Sequence, residues 1–63
     1  MPALVSAATR IWELNTYWPV GSQCGVWDAK IRGVDIWECI RPHTASHGSG
    51  PPNPRYWRYV TRR

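Results

Sequence analysis

With 63 residues there is room for one domain, and a chain this short buries only about 60% of the surface it exposes when unfolded. Five Trp and three Tyr are its main apolar resource, so the fold has few aromatics to spare for solvent. A net charge of +4 keeps phosphate, acidic protein surfaces and anionic glycans open as partners, whereas no apolar run approaches the length of a membrane span.

Residues 1–10 have no clear period and precede the first Trp, so they read as an N-terminal arm rather than as part of the core. The stretch 1–8 is mildly apolar but lacks the basic start and the full apolar run of an export signal. From 11 to 20, Trp12, Leu14, Tyr17 and Trp18 mix irregularly with Asn15, Thr16 and Pro19, which predicts short extended pieces and turns. Gly21-Ser22-Gln23 is a turn signal, and two β-prone runs, 24–31 and 34–40, flank Arg32-Gly33 as a hairpin.

In the second run Asp35, Trp37 and Cys39 share one face, while Ile36, Glu38 and Ile40 share the other. Both faces carry apolar residues, so the second is expected to meet another chain or to be covered by the arm. Residues 41–55 read as a long loop stiffened by Pro42, Pro51, Pro52 and Pro54. A last short strand, 56–60, places Trp57 and Tyr59 on one face, and residues 61–63 read as a basic, solvated tail. No segment supports a helix of useful length, so the fold class is all-β, with a domain at 11–60.

Catalysis is poorly provided for. The acids are Glu13, Asp28, Asp35 and Glu38, and so small a domain has no cleft in which to bury and tune a pair of them. No P-loop, nucleophile elbow or dinucleotide fingerprint is present, so neither an enzyme activity nor a cofactor is expected. Cys24, Cys39, His43 and His47 have the residue types of a tetrahedral zinc site but not the tight ligand pairs, so no metal is expected either. The two cysteines are compatible with one disulfide or with two free thiols. Arg55-Tyr56-Trp57-Arg58-Tyr59 interleaves rings with charge as single-strand nucleic-acid sites do, but Trp57 is needed inside, which argues against that partner.

The ordered set Trp12-Glu13-Leu14-Asn15-Thr16-Tyr17-Trp18, Gly21, Trp37-Glu38-Cys39-Ile40-Arg41-Pro42-His43-Thr44, the prolines at 51–54 and Trp57 resembles the type 3 chitin-binding modules, grouped with carbohydrate-binding module families 5 and 12. The resemblance runs from about residue 12 to residue 60. It implies a small twisted sheet of two or three antiparallel strands with a Trp-rich core and a Pro/Gly-rich loop. Trp12, Trp18, Trp37 and Trp57 would be mainly core, and His43-Thr44 would hold the loop after the second strand. The family's exposed Trp between the His-Thr pair and the prolines is missing from Ala45-Ser46-His47-Gly48-Ser49-Gly50, and the hairpin is longer, adding Cys24 and Trp27.

Tyr17, Trp27 and Tyr56 remain as the candidates to bind carbohydrate. The expected function is therefore non-catalytic attachment by a small virion component, such as a phage tail, baseplate or capsid-surface protein. Its arm would hold other subunits, and one face would present a glycan site. The alternatives are a structural assembly protein that binds no sugar and an extracellular chitin-binding module.

Overall fold

The computed structural model describes residues 9–63, so the greater part of the expected arm lies outside the described residues. Six strands and their turns make up the described chain, with no helix among them. They are β1 (Arg10–Ile11), β2 (Tyr17–Trp18), β3 (Gln23–Asp28), β4 (Gly33–Cys39), β5 (His43–Thr44) and β6 (Trp57–Arg62). A four-stranded sheet has the order β1-β3-β4-β6, and β2 and β5 form a second, two-stranded ladder.

The all-β expectation holds, but the sheet is larger than two or three antiparallel strands. β1 adds a parallel edge, Arg10 beside Cys24 and Ile11 beside Gly25. The expected boundaries move at both ends in consequence. Arg10 is sheet rather than arm, and the supposed tail continues β6 through Arg62. Arg63 then exchanges two backbone hydrogen bonds with Val34, its N–H donating to Val34 O at 2.8 Å and its carbonyl accepting at 3.2 Å. These peptide groups gain ladder partners on β4, which a solvated end would leave to water.

The hairpin is real but turns earlier than its composition suggests. β3 stops at Asp28, which pairs with Gly33, and Ala29, Lys30, Ile31 and Arg32 make the connection. Two local devices replace the usual turn residues. The Asp28 carboxylate accepts a hydrogen bond from the Lys30 N–H at 2.9 Å, and Arg32 takes the left-handed conformation at φ 50°.

Strand register sorts the side chains. Cys24, Val26, Asp35, Trp37, Cys39 and Trp57 lie on one face of the sheet, and Gly25, Trp27, Val34, Ile36 and Glu38 on the other. The first face is covered by the second ladder, and the core cluster between them is Trp18, Cys24, Cys39, Ala45 and Trp57. Trp18 and Trp57 meet edge to face at 5.4 Å, an arrangement that adds about 0.5–1.5 kcal/mol to their burial. The Trp57 indole N–H donates to Ser49 O at 2.8 Å, tying the 45–56 segment to the core.

The core holds fewer Trp than expected. Trp12 and Trp37 are half-buried at its margin and Trp27 is outside, with the two cysteines and Ala45 filling the remaining space. On the opposite face Gly25 is required by close packing. A Cβ there would stand 2.8 Å from Val34 Cγ1, with Ile36 Cδ1 and Ile11 Cδ1 next at 3.6 and 3.7 Å.

Candidate functional site

β6 does not alternate regularly against β4. Trp57, Arg58 and Tyr59 pair with Cys39, Glu38 and Trp37, but the next pair is Thr61 with Ile36, which leaves Val60 as an extra residue on β6. Such a bulge re-aims the residues beyond it. Tyr59 and Arg62 are three apart, so on a regular strand they would face opposite ways. Here both come to the core-bearing face, Tyr59 opposite Trp37 and Arg62 opposite Asp35.

The result is an aromatic and polar cluster at the uncovered end of that face. The Tyr59 ring is 47% exposed and stands edge-on to Trp37 at 5.1 Å. Its hydroxyl donates to Asp35 Oδ1 at 3.1 Å, and Arg62 Nε donates to the same oxygen at 3.4 Å. Desolvation first, and then the Asp35 carboxylate that its hydroxyl meets, push the Tyr59 phenol above its ordinary value of 10.0. The Arg62 side chain passes Gly33, its Cγ 3.6 Å from where a Cβ would be, while the tighter neighbour there is Arg63 O at 3.1 Å. Chemically the cluster offers an apolar ring with a carboxylate and a guanidinium beside it. That combination is equipped for stacking and hydrogen bonding.

The residues nominated from sequence lie elsewhere. Trp27 is 58% exposed on the outer face of the sheet, beside Val34. Tyr17 is 57% exposed on β2, where its neighbour Trp18 points into the core, so Tyr17 projects from the other side of the molecule. Tyr56 is half-buried and packs on the His43 ring at 4.3 Å. The fold therefore does not bring these three together. Asp35, Tyr59 and Arg62 were missed as a set because the register shift at Val60 leaves no sign in the alternation of the sequence.

His43 and Thr44 form β5 against Trp18 and Tyr17. The His43 ring nitrogen Nδ1 lies 2.8 Å from Arg41 O, which makes Nδ1–H the donor and holds the turn into β5. Cys39 Sγ donates to the same carbonyl at 3.0 Å and lies 3.7 Å from Nδ1. Cys24 and Cys39 are free and fully buried. Desolvation pushes the Cys24 thiol up to about 12, with a smaller contribution from Cys39, and raises the Cys39 thiol as well. Among the described residues no three His, Cys, Asp or Glu side chains converge as a metal site would need.

Comparison with protein-family models, with curated proteins and with solved structures gives no match for this chain.

Proposed function

We propose that this chain is a non-catalytic, glycan-binding attachment domain, working as part of a larger assembly such as a virion. The observation that carries the reading is the half-exposed Tyr59 ring, braced by Trp37 and flanked by Asp35 and Arg62. Sugar rings stack on aromatic side chains through their apolar C–H faces while their hydroxyls take hydrogen bonds from polar groups beside the ring. The resemblance to the chitin-binding modules points to the same class of ligand. Asp35 and Glu38, two of the four acids, are each engaged by an arginine, which favours binding over acid–base chemistry.

A glycan array probed with the whole chain tests this directly. Binding to a polysaccharide or oligosaccharide that Tyr59→Ala abolishes, with the melting transition kept, is the expected result. An array without signal, or a signal indifferent to Tyr59→Ala, overturns the site.

A second reading, assembly without sugar binding, is favoured by a different observation. The outer face of the sheet exposes Ile11 and Trp27 around the buried Ile36, an apolar surface suited to another protein chain. Under that reading Trp27→Ala, rather than Tyr59→Ala, removes the biological association.

A further inference from the structure

The polar groups beside Tyr59 restrict which sugar fits, and this inference rests on the glycan-binding reading above. Asp35 uses one carboxylate oxygen, Oδ1, for both the Tyr59 hydroxyl and Arg62 Nε. Both bonds use Oδ1 rather than Oδ2, and the Arg62 guanidinium, which meets Asp35 through Nε, also bears on the Tyr59 hydroxyl. The Arg62 side chain is 58% exposed and the Asp35 side chain 19%, so both can be reached from solvent. At the edge of one aromatic ring the protein thus presents a charged acceptor and a forked charged donor already oriented by each other.

We propose that the Tyr59 site selects neutral sugars with two adjacent free ring hydroxyls, seated between Asp35 and Arg62. A hydroxyl both donates and accepts, so two neighbouring hydroxyls can give a proton to Oδ2 and receive protons from the guanidinium fork. Both interactions are charge-assisted, which makes them about twice as strong as neutral ones. Replacing one hydroxyl with an acetamido group puts an N–H, which only donates, at the ring position, moves the acceptor out to the amide carbonyl and adds bulk, so a guanidinium nitrogen aimed at the ring hydroxyl is left unmatched. A site built to bind a hydroxyl rejects an analogue lacking it far more strongly than an apolar pocket would. By this reasoning a β-1,4-glucan is preferred over chitin, whose rings carry an acetamido group beside the remaining hydroxyl.

Titration calorimetry of the whole chain with cellohexaose and with chitohexaose tests the proposal. Cellohexaose is expected to bind at least about tenfold more tightly. Arg62→Met and Arg62→Lys should each lose about that factor for cellohexaose and leave chitohexaose unchanged, since Lys keeps the charge without the fork. Tyr59→Ala should lose both ligands. Equal or tighter binding of chitohexaose overturns the hydroxyl-pair proposal while the glycan reading stands, and so does an Arg62→Lys variant that binds cellohexaose like the parent. If neither oligosaccharide binds, nor any glycan on the array, the underlying reading falls and this proposal falls with it.

Discussion

Single residues divide into those that hold the core and those that face outward, and Trp57 and Tyr59 show the division within one strand. Trp57 is 2% exposed and packs on Trp18, so truncation to Ala should cost about 3–5 kcal/mol, enough to unfold a domain of this size. Tyr59→Ala should keep a cooperative thermal melt near that of the parent, and an unfolded Tyr59→Ala protein would contradict its placement. The buried thiols impose a pH limit. Their folded pKa values lie above the ordinary 9.0, Cys24 at about 12, so the folded chain holds protons that the unfolded chain releases. Stability is therefore fully present below pH 9 and falls as pH rises from there toward 12, by up to about 1.4 kcal/mol per pH unit for Cys24, with Cys39 acting in the same direction. Melting temperature should decline above pH 9, and Cys24→Ala should make that decline shallower even where it lowers the starting value.

At the level of strands, composition and alternation locate most elements but not their registers. The β3–β4 hairpin, the face shared by Asp35, Trp37 and Cys39, and the face shared by Trp57 and Tyr59 are all legible, because period-two alternation reports which side of a sheet a residue takes. The turn at Ala29–Arg32 is not legible, since those residues have no turn chemistry of their own and rely on the Asp28 side chain. β1 escapes notice because two residues carry no period, and the candidate site escapes because Val60 shifts the phase of β6. Deleting Val60 should remove the bulge and leave Thr61 opposite Ile36 and Arg62 opposite Asp35, now in regular alternation with Tyr59. The expected outcome is a folded protein that still binds cellohexaose, unlike Arg62→Met, checked by calorimetry beside a melting curve. Packing at Gly25 gives a separate test. Gly25→Ala should destabilise by about 1–3 kcal/mol through the approach to Val34, and Val34→Ala in the same chain should recover part of the loss.

For the whole molecule, the sheet depends on residues that look dispensable in the sequence. Removing 61–63 takes away Arg62 and the paired backbone of Arg63, so the shortened chain should melt at a lower temperature and also fail to bind. A solvated tail would show neither effect. The order β1-β3-β4-β6 also fixes how the domain bears a mechanical load. The Asp35, Tyr59 and Arg62 cluster lies on β4 and β6, while β1 forms the opposite edge of the sheet. A pull between a captured sugar and an anchor upstream of β1 would run across the strands and peel them apart one ladder at a time. The first to yield would be the two-residue ladder of β1 on β3, which is much shorter than the six-residue register joining β3 to β4. Under tension this edge would act as a fuse, lengthening the tether while the hairpin and β6 stay together.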